Sequence, residues 1–358
     1  MVADVGATPG GPRAMPDAGK LARYLAGRVT GFDGPVALEP LAGGQSNPTY
    51  VLSAGNRRYV LRTKPGPTAD LLPSAHQIER EYRVLDALAA SDVPVPKVHH
   101  LCTDEAVIGR AFYLMDFVAG RGFVDPRLPA LSSVERGALF ADMGRVLARL
   151  HRLDSAALGL GGFGRPGEYL QRQIARWSKQ YRASETERIE AMDHLIEWLP
   201  TRIPRDDGTC LVHGDYRLDN LIIDAREPTV IAVLDWELAT LGSPLADFSY
   251  HCCVWHFPVG VYRGLAGIDS ESLGIPSEAA YVDAYCHATG RAGIADWDYY
   301  IAYNFFRMAA IVQGIRRRAE LGTAVGADAI EFGRGARQLA ELGWQRADRL
   351  GARTPRSS

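Results

Sequence analysis

The segment Leu211-Val212-His213-Gly214-Asp215-Tyr216-Arg217-Leu218-Asp219-Asn220-Leu221-Ile222-Ile223 holds the residue types best suited to chemistry. An apolar run leads into a polar turn, and a second apolar run leads out. Moving a phosphoryl group onto a hydroxyl requires a carboxylate that orients the hydroxyl and takes its proton. It also requires oxygen ligands for the metal that neutralises the phosphates. Asp215 can serve as the carboxylate and Asn220 as one of the oxygen ligands.

Asp215 and Asn220 lie five positions apart, with His213 two before the Asp. That is the spacing of base and metal ligand in a kinase catalytic loop. A second metal ligand belongs on a following hairpin. Leu221–Ile223 reads as one strand, Asp224–Pro228 as a turn and Val230–Leu234 as the return, which ends on Asp235. A hairpin brings its two ends together, so Asn220 and Asp235 can face one cation. A lone Asp in a polar turn is usually a cap, and a lone hairpin is usually only a hairpin; the joint pattern points to function. Asp219 is read as a turn-shaping residue. Asp247 is read as a helix cap or an anchor for the catalytic-loop backbone.

A nucleotide also needs a cover for its phosphates. Gly43, Gly44, Ser46 and Asn47 sit in a Gly-Gly-Gln-Ser-Asn turn between two strands, where backbone N–H groups can approach phosphate without a Cβ in the way. The same turn is also ordinary punctuation. On the strand after it, the period of two puts Val60, Arg62 and Lys64 on one face. Lysine occurs only at Lys20, Lys64, Lys97 and Lys179, so cationic candidates are few. Arg62 is the first choice for the phosphates and Lys64 the second. Glu81, rather than Glu79, is the carboxylate expected to orient that cation, against the plainer reading of a solvated helix face. Backbone groups of Asp116, Phe117 and Val118 form the expected hinge for adenine, while Met115 reads equally as core.

These residues need elements to hold them. Helical periodicity is expected over Lys20–Arg28 and Ser74–Ala90, and strands over Val36–Pro40, Thr49–Ser53, Arg57–Lys64 and Ala111–Val118. Gly55-Asn56 marks a hairpin. Val93-Pro94-Val95-Pro96 enforces an extended connection. Past Gly120 the pattern turns helical, over Ser133–Arg152, Tyr169–Arg182, Thr186–Leu199, Leu245–Trp255, Ser277–Thr289, Asp296–Ala319 and Ala327–Leu350. The organisation is α+β: a flexible tail at 1–19, a small antiparallel β lobe with one helix at 20–118, a larger mainly helical lobe at 119–351, and a second tail at 352–358.

Bulk composition excludes several classes. A net charge of −2 gives no broad basic field for nucleic acid or an anionic membrane. No stretch approaches the roughly 18 apolar residues of a membrane span. The 5 cysteines include no C-x-x-C pair, which argues against a disulfide framework or zinc knuckle. A reducing cytoplasm is the expected location. Gly159-Leu160-Gly161-Gly162-Phe163-Gly164 matches a dinucleotide-binding pattern formally, but a helix rather than a strand precedes it, so it reads as a linker.

From about Leu41 to the C-terminal helices, the chain resembles the aminoglycoside phosphotransferase-like family, which includes choline kinase-like enzymes. The resemblance rests on His213-Gly214-Asp215 through Asn220 and on Leu234-Asp235-Trp236. Gly43-Gly44, the Glu81 helix, Val93-Pro94-Val95-Pro96 and Leu150-His151-Arg152-Leu153 support it. Leu72-Pro73-Ser74-Ala75-His76 and Trp236-Glu237-Leu238-Ala239-Thr240-Leu241-Gly242 resemble kinase-like domains associated with acyl-CoA dehydrogenases. The resemblance implies a bilobal protein-kinase-like fold, ATP, Mg²⁺ and a small-molecule hydroxyl acceptor such as a hydroxyacyl-CoA or similar metabolite. It also implies a functional link to an acyl-CoA dehydrogenase. An aminoglycoside is the alternative acceptor. Arg62 stands where a lysine is usual, which motivates a rival reading as a nucleotide-binding pseudokinase or regulatory module. A dehydrogenase accessory domain without nucleotide affinity is a third reading. Arg307, Arg316, Arg317 and Arg318 could meet an anionic substrate, although a solvated helix face is the expectation for them.

Overall fold

The computed structural model describes residues 15–41, 47–65, 77–205, 208–260, 263–322 and 333–351. The expectations for Gly43, Gly44 and Ser46, for the tails before Met15 and beyond Gly351, and for the helix starts at Ser74 and Ala327 lie outside them. The chain divides into two compact units. One takes in the chain up to Gly122 with Leu158–Leu160 and Asp219–Ala239. The other comprises Phe123–Ala157, Gly161–Leu218 and the chain from Thr240.

The first unit is built on five antiparallel strands in the order β1-β2-β3-β5-β4: β1 (Val36–Pro40), β2 (Thr49–Ala54), β3 (Arg57–Thr63), β4 (Val98–Cys102) and β5 (Phe112–Asp116). Gly55-Asn56 makes the tight β2–β3 turn, with Gly55 at φ 55°. β4 was not expected: His99 and His100 break its apolar alternation. They are partnered instead, His99 Nε2 lying 2.6 Å from Asp116 Oδ1 and His100 Nε2 3.2 Å from the Tyr24 hydroxyl.

Alternation sorts the sheet's faces. Tyr50, Leu52, Tyr59, Leu61, Phe112 and Leu114 join Leu21 and Leu25 of α1 (Ala18–Leu25) in one core. Asp17 caps that helix at Lys20 N, 2.9 Å away. Strand period two then turns Arg62 to the other face, toward α2 (Ile78–Leu88), which buries Ile78, Glu81, Val84, Leu85 and Leu88. A second, two-stranded sheet belongs to this unit: β6 (Leu221–Ile223) and β7 (Val230–Val233), with Leu221 opposite Val233.

In the second unit α3 (Ser133–Arg152) opens with a capping box between Ser132 and Glu135. α4 (Tyr169–Ser184) and α5 (Glu190–Trp198) follow, somewhat offset from the expected bounds. A short strand β8 (Cys210–Val212) pairs antiparallel with β9 (Thr240–Gly242), a strand the sequence did not signal. Gly164 packs against β9 so closely that a Cβ there would lie 2.5 Å from Thr240 Oγ1, so glycine is required for contact, not for phosphate. α6 (Pro244–Cys252) starts with Ser243 as its cap and proline in its first turn. α7 (Glu278–Thr289), α8 (Trp297–Glu320) and α9 (Ala336–Arg349) complete the unit. α8 is buried on most of its circumference, including Tyr299, Tyr303, Phe305 and Phe306. Truncating Phe306 to alanine is expected to cost about 3–5 kcal/mol.

Candidate active site

The site residues fall in both units, and each set is built differently. In the first, Arg62 projects from β3. Its Nε lies 2.9 Å from Glu81 Oε2 on α2, its Nη2 2.7 Å from Asp235 Oδ1 and 3.8 Å from Glu237 Oε2. Lys64, two residues on, pairs with Glu79. The two cations therefore divide the two helix carboxylates, and Arg62 takes Glu81. Burial pushes the Glu81 carboxyl up to about 7 against the pull of Arg62. Burial pulls the Arg62 guanidinium the other way, but Glu81, Asp235 and Glu237 more than offset it and hold Arg62 firmly charged.

The hairpin closes as its sequence suggests. Leu234 N donates to Asn220 O at 2.8 Å, so the backbone at Asn220 meets the residue just before Asp235. Val233 N donates to Pro94 O at 2.8 Å, which ties the hairpin to the extended Pro94–Pro96 connection. Asp235 itself has φ 64° and ψ 60°, a left-handed conformation that costs a non-glycine residue about 1 kcal/mol or more. The turn at 236–238 is pinned by Trp236 Nε1 donating to Val233 O at 3.0 Å.

Asn220 and Asp235 carry side-chain oxygens of the kind that could hold Mg²⁺. That ion commonly keeps several waters and takes one or two carboxylates plus phosphate oxygens. Among the described residues there is no group of three or more His, Cys, Asp or Glu able to hold a metal.

Of the other nucleotide candidates, Asn47 is buried at the entry to β2, and its carbonyl accepts from Thr49 Oγ1 at 3.0 Å. The adjacent register sets Thr49 opposite Arg62. At the expected hinge Asp116 ends β5, its N–H donating to Lys97 O at 2.8 Å, and Arg58 stacks over Phe117 with 4.1 Å to the ring centroid. Val118 follows, half-buried. Met115 is buried in the sheet.

In the second unit, Asp215 stands on a loop whose backbone is held from below. Asp247 on α6 accepts from His213 N at 2.7 Å and from Gly214 N at 2.8 Å, and His151 Nε2 lies 3.2 Å from its Oδ2. Burial works against the Asp247 charge, but His151 and the backbone donor more than compensate, and its carboxyl lies below its ordinary range. Asp247 is thus the anchor and not the helix cap, a role Ser243 fills. Gly214 adopts φ 82°, where a Cβ would be strained. Asp215 N donates to His213 Nδ1 at 3.2 Å, which ties the ring to the loop backbone.

Two further residues escaped sequence reasoning. Tyr250, also on α6, donates its hydroxyl to Asp215 Oδ1 at 2.6 Å. Burial, then the Asp215 charge, push that phenol well above its ordinary range, so it stays a donor. Arg307 corrects the expectation of a solvated face on α8. It is buried, and its Nη2 donates to Gly214 O at 2.7 Å. A charged residue inside the apolar run Tyr299–Ile311 was the available signal, because arginine is seldom buried without a partner. Arg316 is half-buried and paired with Glu187 and Glu320, while Arg317 and Arg318 are exposed as expected.

The β-rich unit thus bears Arg62, Glu81 and Asp235, and the helical unit bears an anchored Asp215. Comparison with known proteins places the chain in a family. Residues 37–303 match the model of the phosphotransferase enzyme family. A crystal structure from Ralstonia eutropha, provisionally assigned as an aminoglycoside phosphotransferase, is 51% identical with a TM-score of 0.87, covering 94% of this chain and 99% of that one. Choline kinase from Cryptosporidium parvum shares the fold at 11% identity and TM-score 0.66, over 94% and 98% of the two chains. Mouse acyl-CoA dehydrogenase family member 10 is 46% identical over 93% of this chain and 31% of its own length. The human family member 11 is 40% identical over 94% and 44%. This chain therefore spans less than half of those relatives. It belongs to the phosphotransferase enzyme family and has the protein-kinase-like fold.

Proposed function

We propose that the chain transfers the terminal phosphoryl group of ATP, bound with Mg²⁺, to a hydroxyl of a small molecule. The observation that carries this reading is the Asp215 carboxylate, held at 2.6 Å by the half-buried Tyr250 phenol and standing on a loop anchored by Asp247. A base so oriented needs little reorganisation when the acceptor arrives. The acceptor oxygen bonds to the γ-phosphorus, the bridging phosphorus–oxygen bond breaks to release ADP, and the hydroxyl proton passes to Asp215. Asn220 and Asp235 would hold the metal, which neutralises phosphate charge when bound. Arg62, oriented by Glu81, would exchange Asp235 for a phosphate oxygen. Asn47, with Gly43, Gly44 and Ser46, would cover the phosphates, and the backbone at Asp116, Phe117 and Val118 would face adenine; Lys64 is the second cation.

The acceptor proposed is a hydroxyacyl-CoA or similar metabolite, which fits relatives named for acyl-CoA dehydrogenases. A functional link to such a dehydrogenase is part of the proposal. A reducing, cytoplasmic setting fits the five free, buried cysteines. One observation favours a second reading. Arg62 holding Asp235 at 2.7 Å suits a nucleotide-binding pseudokinase whose metal ligand stays engaged.

ADP release separates the readings. With hydroxybutyryl-CoA and with an aminoglycoside as acceptors, turnover with one and not the other names the acceptor, and ATP binding without ADP release favours the pseudokinase. Asp215→Ala should lower kcat about 10²–10⁴-fold with ATP affinity nearly unchanged. Normal turnover by that variant would remove Asp215 as the base.

A further inference from the structure

Arg307 is a buried charge that the proposed chemistry has not used. It is 8% exposed and sits on α8 among Phe305, Phe306, Ala309 and Ala310, all buried. Burying an arginine is costly unless its charge and its donors are met. Its Nη2 donates to Gly214 O at 2.7 Å, and its guanidinium carbon lies 5.0 Å from the Tyr250 ring centroid and 5.9 Å from that of Trp177. Burial opposes the charge, but Tyr303, Tyr169, Tyr250 and Asp215 around it more than offset that and hold the guanidinium charged.

Two of these contacts lead to Asp215. Gly214 O and Asp215 N belong to one peptide unit. Arg307 holds its oxygen, and His213 Nδ1 accepts from its N–H at 3.2 Å. A planar peptide held at both edges fixes the direction in which the next Cα carries its side chain. The tip of that side chain is set by Tyr250, whose hydroxyl donates to Asp215 Oδ1 at 2.6 Å. A guanidinium over the Tyr250 ring restrains the ring in turn. Arg307 therefore acts at the root of the Asp215 side chain through the peptide, and at its tip through the phenol.

The elements beneath are tied together. Asp247 and Tyr250 lie one turn apart on α6, so one helix face supplies both the anchor of the loop and the phenol. Asn304, one turn before Arg307 on α8, donates to Ala246 O at 3.0 Å and to Ser249 Oγ at 2.8 Å, which locks α8 to α6. The plainer account is that Arg307 only satisfies a buried carbonyl. Any donor would do that, and a single hydrogen bond does not require a flat cation over the ring that holds Asp215.

We infer that Arg307 is a positioning residue for phosphoryl transfer, aiming the Asp215 carboxylate through the Gly214 peptide and the Tyr250 phenol without touching acceptor or nucleotide. This rests on Asp215 being the base. The aim matters because a displacement of about 1 Å at a reacting group can cost about 10²-fold in rate.

ADP-release kinetics on the full chain, with hydroxybutyryl-CoA or an aminoglycoside as acceptor, and hydrogen exchange of the 211–218 loop test it. Arg307→Lys keeps the charge and a donor but not the planar face, and should lower kcat about tenfold. Arg307→Met removes both and should lower it about 10²-fold, so lysine is a partial rescue. KM for ATP and for the acceptor should stay within about twofold in each. If Arg307→Met does not fold, Arg307→Lys carries the test. Combined with Tyr250→Phe, Arg307→Lys should cost less than the product of the two single losses, because the two share a route. Losses that multiply fully overturn the inference, as does kcat within about twofold of the parent in every Arg307 variant that folds. A KM for the acceptor that rises at unchanged kcat also overturns it, by making Arg307 a contact of the acceptor. If the parent chain releases no ADP with either alcohol, the kinase reading falls and exchange decides. Faster exchange confined to the 211–218 loop in Arg307→Lys then supports the positioning of Asp215, and unchanged exchange overturns it.

Discussion

The two acidic centres are held in opposite ways. In the first unit Asp235 is gripped by a side chain, Arg62, and 35% of its own side chain is exposed. In the second, Asp215 rides a loop fixed through backbone hydrogen bonds to a carboxylate only 1% exposed, with Arg307 on the Gly214 carbonyl. A side-chain ion pair near solvent can exchange partners at small cost, because its net worth is modest. A buried carboxylate on two N–H groups cannot, since breaking it leaves donors unpaired. The contrast suits the proposed chemistry: an adaptable nucleotide side and a preorganised base.

The strongest way to break that contrast is Asp247→Ala, which leaves the His213 and Gly214 N–H groups and His151 without their acceptor. A loss of about 3–5 kcal/mol in urea unfolding is expected. A loss as small as that of a surface pair would mean the loop is not held as described.

His251, buried beneath the same loop, adds a pH dependence to the second unit. Its Nε2 lies 2.8 Å from the Tyr281 hydroxyl, and burial lowers its pKa from 6.5 to about 4. The unfolded chain therefore binds a proton that the native state refuses between those values. This stability is present above pH 6.5 and is lost as pH falls toward 4, by up to about 3 kcal/mol. His251→Gln should flatten the difference between unfolding at pH 7 and at about pH 5.

Smaller effects test the two grips directly. Tyr250→Phe removes the donor to Asp215 Oδ1 and should lower kcat about tenfold, leaving the thermal midpoint within a few degrees of the parent. Arg62→Lys cannot bridge Glu81 and Asp235 with the same planar fork, and about 1 kcal/mol of stability should be lost. Titration of ATP with and without Mg²⁺ should show a stronger metal dependence in that variant, because Asp235 is less engaged. An unchanged dependence would mean that Arg62 and the metal do not compete.

Local patterns made much of this legible. The alternation in Arg57–Thr63 placed Arg62 on the helix-facing side, and the hairpin signal at Gly55-Asn56 set the register. The offset between Asp215 and Asn220 and the apolar runs on either side of Asp224–Pro228 anticipated the closed hairpin. What sequence could not show was long-range. Tyr250 reaches Asp215 only because α6 packs under the loop, and no local pattern encodes that. β9 is three residues long and gains its identity from pairing with Cys210–Val212. β4 was hidden because its histidines are satisfied by residues far along the chain. Arg307 was misread because its helix was judged by its exposed end and not by the apolar run around it.

The left-handed backbone at Asp235 has a consequence for mutational tolerance. Glycine relieves the conformation outright and asparagine adopts it more readily than most residues, so either change offsets part of the ion pair with Arg62 that it removes and should leave the fold intact. Alanine, which removes the same carboxylate, carries the backbone strain as well. A library screened for stability would thus enrich glycine and asparagine at this position, and one screened for phosphoryl transfer would retain aspartate. Position 235 is where selection for a durable chain and selection for an active one should pull apart.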